Sequence, residues 1–430
     1  MRCDYACGTA DHGIARRQFL GGLAAGSAAG IVGGLGTLAQ PAAAKELATS
    51  QKRVLLFFMS GGLSQLESWD PKPKTDTGGP FRAIPTSVPG THISELLPLT
   101  AQQMHHLAIV RSVNTKENEH SKGRFMMECG RRQMAGAKYP HIGAVAAKAL
   151  APENATLPGH IHITPGGSGG RSDNAAYLGP KYASIILGNG KPPQNSARAA
   201  ELTVDADSRR NAFRRQLNNR FTARRKTAET DVYTYNYEQA QQLMRQGEVF
   251  DVSKEPAADH ERYGKHAFGK HCLLARRLLE NGITFVQVSH SNYDTHNENF
   301  NFHLEQVSEF DRSFSAIVND LAVRGMLEST LIVVMSEFGR TPRINARYGR
   351  DHWGKAWSVV LGGGRIHPGA VYGATNKNGT AVSDKEVDHG ELFHTYLQAV
   401  GLDSTQSFHV GGREMPMADP AVSAIDELLV

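Results

Sequence analysis

The stretch HAFGKHCLLARRLLENGITFVQVS (His266–Ser289) reads as a helix that stops at Gly282 and feeds directly into a strand. Downstream, Phe300, Leu304, Val307, Phe310, Phe314, Ile317 and Leu321 recur at steps of four, three, three, four, three and four. That spacing predicts an amphipathic helix of about seven turns. TLIVVMS (Thr330–Ser336) then reads as a strand and AWSVVLGG (Ala356–Gly363) as another. HGELFHTYLQAVG closes the chain with a helix and Gly401 after it. Strand and helix alternating at this spacing mean βαβ units and a largely parallel sheet. The strands are apolar along their whole length, as they must be when helices cover both faces.

Upstream, RVLLFFMSGG (Arg53–Gly62) predicts a buried first strand ending in a glycine turn. LAIVRSV (Leu107–Val113) is a second strand. Ser121–Cys129 reads as a short helix stopped by Gly130, and Ile142–Leu150 as an Ala-rich helix. HIHIT (His160–Thr164) alternates like a strand, and TPGGSGGRSDN after it is a loop. From 199 to 260 the text is polar, which suggests a helical insertion or a small helical cap. Its Arg-rich part, Arg209–Arg225, is either a solvated helix face or an anion-attracting one.

The 430 residues carry 47 Lys and Arg against 42 Asp and Glu, with both signs interleaved. No basic stripe with aromatics stands out, so nucleic acid is not an expected partner. Cys3 and Cys7 lie in the leader, and Cys129 and Cys272 have no CxxC or Cys/His companion, so neither a zinc ribbon nor a disulfide framework is indicated. The leader places Arg16-Arg17 before an uncharged Gly/Ala-rich run and an Ala42-Ala43-Ala44 cleavage site. Residues 1–44 are therefore expected to be a twin-arginine signal peptide, recognised by that translocon. The mature protein, 45–430, would be periplasmic or extracellular, with no stable membrane span.

Ligands of an open parallel sheet bind beyond the carboxyl ends of its strands. The chemically capable residues collect there. Asp294 and His296 follow ITFVQVS; Glu337 and Arg340 follow TLIVVMS; Asp351 and His352 precede AWSVVLGG. Glu119, His120 and Arg124 follow LAIVRSV, and Ser64, Glu67 and Asp70 follow the first strand. Mixed carboxylate and imidazole ligands suit zinc, manganese or iron, and neighbouring Arg residues suit a phosphate or sulfate oxyanion.

Five segments, FFMSGGLSQLESWDPKP, EHSKGRFMMECGRR, HAFGKHCLLARRLLENGITFVQVS, YDTHNEN and SEFGRTPRIN…GRDHW, resemble the exported bacterial family known as domain of unknown function 1501. The resemblance runs from about Arg53 to Leu429. It implies an alkaline phosphatase-like or sulfatase-like fold, a three-layer α/β/α sandwich with a largely parallel central sheet. It also implies a site for phosphate or sulfate esters holding one or two divalent metals, zinc, manganese or calcium. His120 lies ten residues before Gly130, with Arg124 where the sulfatase motif has its anion-holding Arg. His120 thus replaces the Cys or Ser nucleophile, which excludes formylglycine chemistry there. Ser336-Glu337-Phe338-Gly339 stands where relatives carry Ser-Asp-His-Gly, so a carboxylate is kept and a His ligand lost. His352 is similar to the late His ligand, and Asp294 with His296 to a paired Asp and His. The first strand lacks the terminal Asp of relatives, so Glu67 or Asp70 would have to substitute.

The resemblance assigns the metal to Asp294, His296 and His352, with Glu337 and Asp351 completing or orienting the set. Arg124 and Arg340 would neutralise the oxyanion. His120, kept neutral by a helix N-terminus, would be ligand, base or nucleophile. The function expected is an exported metal-dependent ester hydrolase; the alternative is a non-catalytic scaffold or glycan-binding protein on the same fold.

Overall fold

The structure is a computed structural model describing residues 51–430, apart from 153–154, 156, 193–197 and 224–227 and the side chains of 228–233. The expected signal peptide, 1–44, lies outside the described residues.

A nine-stranded mixed sheet forms the core. In chain order its strands are β1 (Arg53–Met59), β2 (Leu107–Val113), β3 (His160–Thr164), β4 (Gly170–Arg171), β5 (Ile185–Gly188), β6 (Phe285–His290), β7 (Thr330–Met335), β8 (Trp357–Gly362) and β9 (Val371–Tyr372). In space they run β9-β2-β8-β7-β1-β6-β3-β5-β4. β7, β1, β6, β3 and β5 are mutually parallel. β8 runs against both β7 and β2.

Helices cover both faces. The longer helices of the described residues are α1 (His120–Cys129), α2 (Ile142–Leu150), α3 (Val204–Thr222), α4 (Ala228–Arg245), α5 (Ala267–Glu280), α6 (Asn299–Val323) and α7 (His389–Ala399). The period-two alternation of β1 sorts its side chains between the layers. Phe57 points to α5 and α6, edge-on to Phe268, Phe310 and Phe314 at ring distances of 6.2, 6.2 and 5.3 Å. Val54, Leu56 and Phe58 point the other way, into a cluster with Val145 of α2 and Leu392, Phe393 and Leu397 of α7. This is the three-layer α/β/α sandwich. The 199–260 segment holds α3 and α4, and α3 buries none of its residues. Among the described residues no helix is long and apolar enough to cross a membrane.

The topology explains the rim. Parallel pairing sets Met59 opposite His290 and Phe58 opposite Met335, so three loops leave from one edge. Because β8 is antiparallel, its start at Trp357 lies at that same edge, beside Val113 at the end of β2. The chain must therefore return through His352 before β8 and depart from β2 toward α1. A two-residue antiparallel pair, Gly339–Arg340 with His352–Trp353, sets Arg340 opposite His352.

Candidate metal centre

Two close approaches draw the rim loops together. Gly61 follows β1 with φ +114°, and a Cβ there would lie 2.4 Å from the Asp294 nitrogen. Only glycine serves both demands. Its N–H donates to Glu337 Oε1 at 2.9 Å. Gly123, on the first turn of α1, packs so closely that a Cβ would sit 2.7 Å from the Glu337 carbonyl oxygen. This lays α1 against the end of β7, with His120 at the helix start.

The charged centre is Asp294. Arg340, fully buried, donates to its Oδ1 at 2.5 Å. His352 Nε2 is 3.1 Å and His296 Nε2 3.2 Å from the same oxygen, and His120 Nε2 is 3.3 Å from Oδ2. His296 Nε2 and His352 Nε2 face each other at 3.0 Å. His120, Asp294 and His352 each bring one ligand atom within 4.8 Å of the others.

Each imidazole is held from behind by a group that accepts hydrogen bonds. His120 Nδ1 lies 2.7 Å from Glu337 Oε1, His296 Nδ1 2.7 Å from Asp351 Oδ1, and His352 Nδ1 2.7 Å from the Asn118 carbonyl oxygen. A proton on each Nδ1 satisfies these contacts, which leaves each Nε2 with a lone pair. Three lone pairs and a carboxylate then converge with no donor among them but Arg340. This is the arrangement of metal-ligating histidines, whose distal nitrogens are fixed by carboxylates or carbonyls. The spacings of 3.0–3.3 Å are near the separation of about 3.3 Å between ligands of a tetrahedral zinc ion. The residues present fit a divalent metal.

The electrostatics follow. Burial works to raise the Asp294 pKa, but the Arg340 hydrogen bond and charge, with help from His352 and His120, bring it down to about 2. The hydrogen bond to His296 lowers Asp351. Burial lowers His352. His120 moves the other way. The hydrogen bond to Glu337, with the Glu337 and Asp294 charges, raises it more than burial and Arg340 lower it. Phe338, expected to replace a His ligand, is buried and lies 4.9 Å from the His120 ring and 4.5 Å from that of His352. It is an apolar floor under both imidazoles.

Other expected roles change. Glu337 and Asp351, expected among the ligands, stand behind the imidazoles of His120 and His296 instead. Arg340, expected to neutralise an oxyanion, turns its donors toward protein acceptors. Besides Asp294 it donates to the carbonyls of Gly62 and Arg350 at 3.0 and 2.9 Å and to that of Gly61. Glu67 is not a ligand either, because it is wholly buried in an ion pair with Arg350 at 2.7 Å. Asp70 pairs with Lys72 at 2.9 Å. Arg124, four residues after His120 and so on the same helix face, donates Nε to Glu128 at 3.1 Å and lies over the Phe58 ring. Its two terminal nitrogens have no hydrogen-bond partner among the described residues. No side-chain pattern pointed to Asn118, since its contribution is a backbone carbonyl. Gly61, in the Met59-Ser60-Gly61-Gly62 turn, did carry a signal.

Over residues 51–429 the chain matches the family described as "Protein of unknown function (DUF1501)". The chain belongs to this family. No curated protein matches it. Several solved structures are similar to it. Ps i-CgsB aligns over 82% of this chain and 72% of its own, with 10% identity and a TM-score of 0.41. PsFucS1 sulfatase from Pseudoalteromonas sp. aligns over 84% and 72%, with 14% identity and a TM-score of 0.36. A mutant TAB5 alkaline phosphatase with Mg bound in its M3 site aligns over 82% and 99%, with 12% identity and a TM-score of 0.36.

Proposed function

We propose that this DUF1501 protein is an exported, metal-dependent hydrolase of phosphate or sulfate esters. The observation that carries the reading is the convergence of three imidazole Nε2 atoms on Asp294, each imidazole held at Nδ1 by Glu337, Asp351 or the Asn118 carbonyl. His120, Asp294, His296 and His352 would hold the ion. When bound, a divalent metal supplies Lewis acidity toward an ester oxygen and toward water.

The chain's own residues do the rest. Arg340 keeps Asp294 ionised and fixes the loops that carry it. Phe338 keeps water from beneath His120 and His352. Arg124, with two free terminal nitrogens on the His120 face of α1, would hold the ester's oxyanion, because a guanidinium fork matches sulfate or phosphate oxygens. The paired arginines and the leader ending at Ala44 support export by the twin-arginine route.

One observation favours a second reading. The ion pair of Arg340 with Asp294 at 2.5 Å, together with a charged His120 against Glu337, would balance the cluster without any metal. The protein would then be a non-catalytic scaffold. Elemental analysis of wild type, His352→Ala and Arg124→Ala separates the two, alongside turnover of aryl phosphate and aryl sulfate. The hydrolase reading expects metal in wild type and Arg124→Ala but not in His352→Ala, and turnover only in wild type. Wild type that takes up no metal under any loading condition would leave the scaffold.

A further inference from the structure

A second charged feature lies on the other flank of α1. Gly130 ends that helix in the left-handed region, with φ +64° and the Phe393 ring where a Cβ would be, and this turns the chain sharply. The following loop folds back beside the helix and encloses a cleft of about 690 Å³. Lys122, Arg132 and Lys138 line it, with Met126 and Met134 as apolar surface. Arg132 is tethered there, donating Nη2 to the Thr115 carbonyl at 2.9 Å. The lining also holds an acid, Glu117, whose Oε1 is engaged by the N–H groups of Asn118 and Glu119 at 3.0 Å.

The neighbouring cations Lys116, Arg124 and Arg131 are paired with Glu386, Glu128 and Asp419. Among the described residues Lys122, Arg132 and Lys138 have no such partner. Three like charges facing one cleft repel each other unless an anion joins them. The cleft also adjoins the metal centre. The stretch from Glu117 to Lys122 lines it at both ends and, between them, supplies the Asn118 carbonyl to His352 and the His120 ring to Asp294. Lys122 is turned about 200° around the helix from His120, so a molecule reaching both must cross the helix start.

We propose that this cleft binds a second sulfate or phosphate group of the substrate, so that the substrate is a carbohydrate carrying several such groups. The proposal rests on the ester-hydrolase reading of the adjoining centre. The lining has no aromatic ring on which a nucleobase could stack, which sets a sulfated or phosphorylated sugar chain ahead of single-stranded nucleic acid.

The test is calorimetric titration of the metal-treated protein with a sulfated dextran oligomer. A phosphorylated dextran, unmodified dextran and a single-stranded oligonucleotide of equal charge run in parallel. Wild type is expected to bind one or both of the charged dextrans, more weakly as salt rises, and to ignore the neutral one. Lys122→Ala with Lys138→Ala should weaken that binding about tenfold, while Lys122→Arg with Lys138→Arg retains it. Equal affinity in the alanine variant, no binding by wild type, or tighter binding of the oligonucleotide would each overturn the proposal. Metal content is measured on the same samples. The tenfold loss in a protein that holds no metal would keep the polyanion cleft and remove ester hydrolysis. Bound metal without that loss would remove the cleft and leave the hydrolase.

Discussion

Arg340 donates to Asp294 Oδ1 at 2.5 Å from a side chain with no exposed surface. It also satisfies the carbonyls of Gly61, Gly62 and Arg350, and so ties the loops after β1, β6 and β7 together. Arg340→Met would leave those carbonyls orphaned and Asp294 without its counter-ion. The expected cost is roughly 3–5 kcal/mol of folding stability. Urea unfolding measures it, and a loss under about 1 kcal/mol would show that Arg340 does not hold the rim.

Asp351 is more than half exposed and its role runs through His296. Asp351→Asn should leave stability within about 0.5 kcal/mol of wild type. Metal affinity, read by competition with a chelating dye, should fall about 10- to 100-fold, as it does when a histidine ligand loses its carboxylate partner. Unchanged affinity would remove His296 from the ligand set.

His303 offers a pH-dependent test in the buried layer behind the rim. It is fully buried, accepts the Ser64 N–H at Nε2 (3.1 Å) and reaches the Asn299 carbonyl from Nδ1 (2.8 Å). Burial lowers its pKa to about 4, against the pull of Glu67. The unfolded chain, with a pKa of about 6.5, binds the proton first as pH falls. Stability from this residue is therefore complete above about pH 6.5 and declines toward pH 4, by roughly 3 kcal/mol. The stability gap between wild type and His303→Gln should shrink by about that amount across the window. A constant gap would mean that the folded protein accepts the charge.

Export has its own test. Arg16→Lys with Arg17→Lys should leave full-length precursor in the cytoplasm, detected by fractionation and immunoblot. Normal export of the double variant would exclude the twin-arginine route.

The sandwich could be read in the sequence because buried parallel strands are apolar throughout and their helices keep the 3.6 period, as from Val307 to Leu321, although Leu304, expected on the same face, is half exposed. The same topology made the rim legible, since Asp294, Glu337 and His352 each stand at a strand end. What the sequence concealed was which partner each charge would choose. Glu67 and Arg350 look like rim residues, yet they neutralise each other in the interior. Arg340 looks like an anion-holder, but its donors are spent on Asp294 and on the carbonyls of Gly61, Gly62 and Arg350. The support from Asn118 is a main-chain oxygen, which no side-chain pattern encodes.

The central place of β1 has a consequence for synthesis. It is the first sheet strand to leave the ribosome, yet its two neighbours begin only at Phe285 and Thr330. Until about two thirds of the chain exists, the run VLLFFM has no native partner on either edge. Pairing so distant in sequence is slow to form, and an unpaired apolar strand recruits others. A nascent chain stalled before β6 would carry that segment bare, and one stalled between β6 and β7 would carry it with one edge open, so the sheet closes late in synthesis.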